Sequence, residues 1–187
     1  MTPLAKKLEE KYTYQDYLTW DDGERWEIIN GEAYNMSPSP KKKHQKISGV
    51  LFGKLFENRN SLKNCSLYEA PMDIIFDDYN VVQPDIFIVC EKNKESDYIF
   101  DVPEVVIEII SPSTELKDKR EKFYLYEKFG VKEYIIVYPE REYVERYVLK
   151  RGKYGAPEIF NWDEVLKLKT FAMEIPLWEV FEKEKKK

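Results

Sequence analysis

The sequence is poor in the residues that most directly signal a cofactor site or a membrane span. It has one histidine and two cysteines among 187 residues, and Cys65 and Cys90 form no recognisable motif. Two unconnected cysteines predict free thiols in a reducing cytosol. No apolar run reaches the roughly 18 residues of a membrane-spanning helix, and the charged opening stretch MTPLAKKLEEKY is unlike a secretory signal peptide. These absences favour a cytoplasmic protein.

Internal repeats, linkers and a second compositional region are also absent. A chain of this length is typical of one domain with a sizeable core. We therefore predict a single domain over residues 1–187, with 1–12 as a lead-in and 182–187 as a charged tail.

The chain has fewer positively charged than negatively charged residues. The chain carries 30 Lys and Arg against 35 Asp and Glu, which gives a formal net charge of −5. That balance argues against a non-specific polycationic interaction with nucleic acid. It leaves room for a nucleic-acid enzyme, because a local basic surface and a bound metal can serve instead. The lysines at 41–43 and 46 are either a solvated face or contacts to backbone phosphates.

Residues 103–134 form the clearest structural pattern of the chain. VVIEII is an apolar run bounded by prolines, which predicts a strand covered on both faces with Glu108 in its middle. A helix is predicted from Glu115 to Phe129, with Gly130 as its left-handed stop. EYIIVYP then predicts a second buried strand. A strand, helix and strand of this length predict a right-handed crossover between parallel strands.

A second acid interrupts another apolar run upstream. Residues 81–89, VVQPDIFIV, predict a buried strand that carries Asp85 and that lies at an edge or is bulged at Pro84. An ionised carboxylate inside such a strand is unfavourable by several kcal/mol unless it is compensated. One shared site explains Asp85 and Glu108 more easily than two separate burials. Adjacent strands lie about 4.8 Å apart, so both carboxylates could bind one hard cation.

The predicted helix presents further polar side chains to these acids. Asp118, Lys122 and Tyr126 are spaced i, i+4, i+8, which places them along one helix face. Lys122 is therefore expected to lean toward the acid pair, with Asp118 orienting it and Tyr126 packing nearby. The alternative is a surface pair of Asp118 and Lys122 worth only a few tenths of a kcal/mol.

Two more residues are secondary candidates. RWEIINGEAYN predicts a β-hairpin around Asn30-Gly31, and Glu27 lies in the middle of its first strand. Glu27 is either a solvent-facing hairpin residue or an additional ligand. His44 lies in the first turn of a helix predicted by the apolar spacing of KHQKISGVLFGKLFENR. It is either a surface or structural histidine, or a ligand, proton shuttle or phosphate contact.

The order of these motifs resembles a known family. The chain contains RWEIINGEAYNMSPSP, His44, QPDIFIV, PEVVIEIISPST, the helical Asp118, Lys122 and Tyr126, and GVKEYIIVYP in that order. Together they resemble the Uma-two family of restriction endonucleases, within the PD-(D/E)XK phosphodiesterase superfamily. The resemblance extends over roughly residues 13–180.

The resemblance implies an α/β fold of mixed α+β type. A restriction-endonuclease-like core, with a mixed central β-sheet flanked by helices, would carry an added N-terminal β-hairpin. Asp85 and Glu108 match the two acids of the superfamily motif and would be both catalytic and metal-binding. The superfamily lysine normally follows the second acid by two residues, where this chain has Ile110. Lys122 is expected to take its role from the following helix.

The implied activity is that of an endonuclease that hydrolyses nucleic-acid phosphodiester bonds with Mg²⁺, for which Mn²⁺ could substitute. Metal-bound water would be the nucleophile, and Lys122 would orient it, deprotonate it or stabilise the oxyanion. Glu27, His44 and Asp118 would assist. DNA is favoured over RNA as the substrate, and a homodimer or higher homo-oligomer is expected because duplex cleavage uses two symmetric sites.

Three alternatives remain open at the level of sequence. The chain could be a nuclease-fold protein that binds nucleic acid or has a structural role without catalysis. It could hydrolyse small phosphodiesters in a closed cavity. The two acids could also be purely structural, satisfied by backbone donors or by Arg25, Arg120 or Arg141.

Overall fold

The fold combines a central sheet, a smaller sheet and a C-terminal hairpin, as a computed structural model shows for residues 11–36, 40–92, 96–111 and 117–184. The strands are β1 (Trp26–Ile29), β2 (Glu32–Asn35), β3 (Ser66–Glu69), β4 (Ile74–Asp77), β5 (Asn80–Val82), β6 (Ile86–Val89), β7 (Val105–Ile109), β8 (Glu133–Tyr138), β9 (Tyr143–Lys150), β10 (Lys153–Tyr154), β11 (Glu158–Asn161), β12 (Val165–Lys167) and β13 (Glu174–Pro176). The helices are α1 (Tyr14–Tyr17), α2 (Lys42–Glu57), α3 (Phe123–Phe129) and α4 (Leu177–Val180). A 3₁₀ turn covers Arg59–Leu62 and a π-helical turn covers Asp118–Lys122.

The central sheet is mixed, as the family resemblance implies. Its order is β10–β9–β8–β7–β6–β3, and β11 also pairs with β9. Strands β7 and β8 are parallel, whereas β6 pairs with β7 in the antiparallel direction. Every residue of β7 and β8 is buried, because helices pack against both faces of the central sheet. The predicted strand–helix–strand unit is therefore confirmed.

The connection between β7 and β8 differs in detail from a uniform α-helix. The π-helical turn leads directly into α3, which ends at Gly130 with φ 90°. That left-handed conformation carries no Cβ penalty in glycine, so the predicted stop is confirmed. The predicted start at Glu115 lies outside the described residues.

Side-chain alternation along β7 separates two cores. Ile107 and Ile109 pack on the face covered by α2 and α4, together with Leu51 of α2. Val106 and Ile110 pack on the opposite face, which α3 covers. Because successive side chains of a strand point to opposite faces, Glu108 projects toward α3.

Pro84 does not lie in an edge or bulged strand, so that prediction is wrong. Strand β5 belongs to a separate sheet of order β2–β1–β5–β4, whereas β6 lies inside the central sheet between β3 and β7. Residues 83–85 are the junction at which the chain changes sheets. A proline is tolerated there because no sheet ladder requires its missing N–H.

The small sheet brings the N-terminal part of the chain against the central sheet. The predicted hairpin of β1 and β2 is confirmed, with Asn30 and Gly31 both at positive φ in its turn. Strand β1 also pairs with β5. Thr13 caps α1 in a reciprocal capping box with Asp16, which fixes the helix before the hairpin.

The two cysteines are joined in a disulfide, contrary to the expected free thiols. Strands β3 and β6 are antiparallel with Ser66 opposite Val89. One step further along this register, Cys65 lies opposite Cys90, which sequence spacing alone does not reveal. No helix in the described part of the chain is long and apolar enough to cross a bilayer.

Candidate functional site

The end of the β6–β7 pair places two acids side by side. Ile86 lies opposite Ile107 in the antiparallel register. One step beyond this pair, Asp85 is opposite Glu108. The two predicted acids are therefore cross-strand neighbours at the junction between the two sheets, and the negative charge of Asp85 contributes to the raised pKa of Glu108.

Glu108 is buried beneath the helical connection. Its Oε1 accepts hydrogen bonds from Lys122 Nζ and Tyr126 OH, each at 2.8 Å. Burial raises the pKa of Glu108 to about 8, although the Lys122 ammonium opposes this shift. No described residue donates to its other oxygen, Oε2. Glu108 thus uses one carboxylate oxygen internally and leaves the second for another ligand.

Lys122 is buried with only 2% of its side chain exposed. Its Nζ lies 2.7 Å from Glu27 Oε1, 2.8 Å from Glu108 Oε1 and 3.8 Å from Asp118 Oδ1. Burial alone would lower the lysine pKa, but the surrounding carboxylates raise it well above the ordinary value. The ammonium is therefore a permanent positive charge at the centre of the cluster, and the surface-pair interpretation of Asp118 and Lys122 is wrong.

Glu27 is fully buried, so the interpretation as a solvent-facing hairpin residue is wrong. Its Oε1 accepts from the Gln83 N–H at 2.9 Å and from Lys122. Its Oε2 lies 2.6 Å from Lys117 Nζ. Burial alone would raise the pKa of Glu27, but the two ammonium groups hold it below its usual range. Strand β1 thereby delivers a third acid to the cluster from the small sheet.

Lys117 is the residue of this cluster that the sequence did not reveal. It precedes Lys122 by five residues, a spacing that separates two side chains on an ordinary α-helix. The intervening turn is π-helical, with a wider i→i+5 repeat. Both lysines therefore reach Glu27, and Lys117 remains 14% exposed beside the Tyr34 ring.

Asp85 lies in a more open environment, with about 20% of its side chain exposed. Its Oδ2 accepts from the Ile109 N–H at 2.7 Å and lies 3.2 Å from His44 Nε2. Burial alone would lower the His44 pKa, but the hydrogen bond and charge of Asp85 raise it. Among the described residues, Asp85 Oδ1 has no hydrogen-bond donor and the buried His44 Nδ1 has no partner.

The donor set fits a hard cation that keeps much of its water. Asp85 Oδ1 and Glu108 Oε2 are the two available carboxylate oxygens described above. The described residues contain no group of three or more His, Cys, Asp or Glu side chains arranged to hold a metal. Mg²⁺ requires only one or two carboxylates, with waters and substrate phosphates completing its octahedron. Two neighbouring acids are therefore compatible with Mg²⁺ and too few for a closed protein cage.

The arginine alternative for this acid pair is wrong. In the described ranges, the partners of Asp85 and Glu108 are His44, the Ile109 N–H, Lys122 and Tyr126, and none is an arginine. Arg25 instead donates to Gln83.

Comparisons with known proteins agree with this architecture. The chain matches the Uma2 family, described as "Putative restriction endonuclease", over residues 14–177. A relative in Synechocystis sp., the uncharacterized protein slr1290, is 32% identical over 120 residues, and the match spans 62% of this chain and 62% of that protein. A crystal structure from Anabaena variabilis, described as "a putative nuclease belonging to DUF820", has a TM-score of 0.76.

That structure is 19% identical in sequence, and the match covers 91% of this chain and 97% of the other. At this identity the similarity shows a shared fold alone. The family match, in contrast, extends over most of the chain. The chain therefore belongs to the Uma2 family, whose description is "Putative restriction endonuclease".

Proposed function

We propose that this protein is a Mg²⁺-dependent endonuclease that hydrolyses phosphodiester bonds of DNA. The observation that carries the proposal is the pair of cross-strand acids, Asp85 and Glu108, each with one carboxylate oxygen available beside a buried lysine. The small-phosphodiester alternative requires a closed cavity. An acid that is one-fifth exposed favours an open site instead.

Asp85 and Glu108 would hold the cation. When bound, Mg²⁺ supplies charge for the scissile phosphate and lowers the pKa of a coordinated water. The protein supplies the orientation of the ligands. Ile109 N–H and His44 fix Asp85, while Lys122 and Tyr126 fix Glu108. Such outer partners typically account for a 10–100-fold difference in metal affinity or activity.

Lys122 acts in this proposal as a positioning residue. Its ammonium is almost inaccessible and already faces three carboxylates, so it holds Glu27 and Glu108 at fixed places. Lys117 reaches the same Glu27 from a more exposed position and has only that carboxylate within ion-pair distance in the described structure. Lys117 is therefore the lysine we place against the negatively charged phosphate.

A homodimer belongs to the proposal because cleavage of both strands of a duplex requires two active sites. A twofold axis would relate these sites as it relates the two strands. Sedimentation or light scattering with and without a short duplex tests this part separately from the chemistry.

The direct test is a cleavage assay on plasmid, single-stranded DNA and RNA with Mg²⁺ or Mn²⁺. The wild type is compared with Glu108→Gln, which keeps the shape of the side chain but cannot ionise. We expect plasmid cleavage by the wild type that EDTA stops and that Glu108→Gln abolishes. Cleavage that persists in EDTA would overturn the metal role, and cleavage of RNA alone would overturn the choice of DNA.

The alternative of a nucleic-acid-binding protein without catalysis is favoured by one observation. Lys122 is engaged by carboxylates and does not point at an open phosphate position. In that case, the wild type would bind DNA with the same affinity as Glu108→Gln and would cleave none of the three substrates with either metal.

A further inference from the structure

Arg25 lies next to the acid cluster, on the same face of the extended backbone as Glu27. It directly precedes β1, and its carbonyl accepts the Met36 N–H at 2.8 Å, so the extended backbone continues through it. Side chains two residues apart on extended backbone point to the same face, about 7 Å apart. The Arg25 side chain therefore leaves the backbone on the same face as that of Glu27.

The guanidinium of Arg25 is held by an amide. Its Nε and Nη2 donate to Gln83 Oε1 at 2.9 and 2.6 Å. The Gln83 backbone N–H donates to Glu27 Oε1, so Gln83 contacts both the arginine and the acid cluster. This bidentate contact fixes the guanidinium plane beside the proposed active site.

A second layer of hydrogen bonds fixes the orientation of the Gln83 amide. Its Nε2 donates to Asp73 Oδ1 at 2.7 Å, and Tyr17 OH donates to Asp73 Oδ2 at 2.9 Å. A carboxylate accepts only, so it selects the NH₂ end of the amide and turns the oxygen toward Arg25. The arrangement therefore immobilises Arg25 through three residues from different parts of the chain.

The important feature is that the immobilising contact is neutral. Within the described residues, no carboxylate lies within 4.0 Å of the Arg25 guanidinium, and its Nη1 makes no hydrogen bond. The side chain is only half-buried. A guanidinium that keeps its full charge and free N–H groups in a fixed orientation suits a phosphate oxygen, which it binds through charge-assisted hydrogen bonds.

We propose that Arg25 is a phosphate-binding residue that holds a phosphodiester of the substrate backbone adjacent to the scissile one. This inference rests on the proposed nuclease function and adds a subsite to it. Arg25 and Lys117 then provide two positive groups around the buried Glu27. They bring a polyanion to a protein whose net charge is negative.

The test measures binding of a short DNA duplex by fluorescence anisotropy, with Ca²⁺ in place of Mg²⁺. For Arg25→Ala we expect affinity to fall about tenfold, as for loss of one charged hydrogen-bonded contact. The slope of log K against log salt should become shallower by about 1, because one phosphate contact is lost. Arg25→Lys should recover part of the affinity and most of the slope. The matched control is Arg59→Ala, an exposed arginine whose guanidinium contacts Phe56.

A charge relocation separates phosphate binding from a structural role of Arg25. The double variant Asp73→Asn/Gln83→Glu keeps the net charge, reverses the direction of the hydrogen bond between positions 73 and 83, and moves the carboxylate onto Arg25. A purely structural clamp would be maintained or strengthened, with DNA binding unchanged. We expect instead a folded protein, by thermal melting, whose DNA affinity falls nearly as far as that of Arg25→Ala.

An experiment with inorganic phosphate separates failure of the subsite from failure of the nuclease proposal. In ¹⁵N spectra, phosphate should shift the Arg25 Nε–H signal of the wild type and leave the double variant unaffected. A shift in a protein that neither binds nor cleaves DNA would retain the anion site and reject the nuclease function. DNA binding and salt slope unchanged by Arg25→Ala, without a phosphate-induced shift, would overturn the subsite.

Discussion

Two neighbouring acids of the central sheet, Asp85 just before β6 and Glu108 within β7, occupy opposite environments. Glu108 is buried, contacts the Lys122 ammonium, and has a pKa raised to about 8. Asp85 is one-fifth exposed and is oriented by a backbone N–H and His44. The difference indicates that the two acids contribute to the site in different ways. The Glu108 side is a rigid, buried frame around the Lys122 ammonium, and the Asp85 side is the part that solvent can reach.

Replacing either acid should cause the largest loss of cleavage activity among these substitutions. We expect Asp85→Asn and Glu108→Gln each to reduce Mg²⁺-dependent cleavage by more than the roughly 100-fold upper range of outer-shell changes. Each variant replaces a carboxyl group that can carry a negative charge with a neutral amide, which is a poorer ligand for Mg²⁺. Initial cleavage rates on plasmid, with circular dichroism as the folding control, measure this effect. Near-normal cleavage by either variant would remove that acid from the site.

Lys122→Met should lower the stability of the protein, because Lys122 lies on the buried Glu108 side of the site. We expect a loss of about 3–5 kcal/mol in the free energy of unfolding, because the buried Glu27 loses one of its counter-charges and the buried Glu108 loses a hydrogen-bond donor. Lys117→Met is the matched control, and it should reduce stability less, because Lys117 faces one carboxylate and Glu27 keeps the Lys122 ammonium. Urea denaturation measures both. Equal losses would contradict the rigid-frame interpretation.

The pH dependence of stability should report the burial of Glu108. Its pKa is raised from 4.5 to about 8 on folding, so between these values the folded protein retains a proton that the unfolded chain has lost. Its contribution is therefore complete below pH 4.5 and is lost as the pH rises through 8, at about 1.4 kcal/mol per pH unit at most. The difference in unfolding free energy between the wild type and Glu108→Gln, measured in EDTA, should fall over this range. A flat difference would show that Glu108 stays ionised.

Changing His44 should have the smallest effect. His44→Gln removes the imidazole that faces Asp85 Oδ2, but the Ile109 N–H still orients this carboxylate. We expect a cleavage rate about 10–100-fold lower, typical of an orienting partner, with stability close to the wild type. A rate loss as large as that of Asp85→Asn would instead make His44 a participant in the chemistry.

Much of the central sheet could be predicted because its signals are local. VVIEII and EYIIVYP are apolar runs of the right length on either side of one helix, and Gly130 marks where that helix ends. Glu108 stood out in the first of these runs and Asp85 in a separate one, VVQPDIFIV, since an acid among apolar residues is conspicuous.

The parts that could not be predicted depend on long-range geometry. Alternation within the hairpin did not reveal which face of β1 becomes buried, so Glu27 remained open to two interpretations. Lys117 was missed because a π-helical turn replaces the regular helical repeat. The change of sheet at Pro84 and the pairing of Cys65 with Cys90 depend on strand partners far away in sequence.

The position of strand β1 has a consequence for the way the two sheets depend on each other. Glu27 comes from the small sheet, whereas Glu108 belongs to the central one, so the contact between Lys122 and Glu27 forms only after both sheets have formed and docked. Before docking, Lys122 has only the acids of its own unit, Glu108 and Asp118, within ion-pair distance. The buried ammonium thereby joins the two sheets through the interior of the protein, and the final geometry around Glu108 depends on a hairpin far away in sequence.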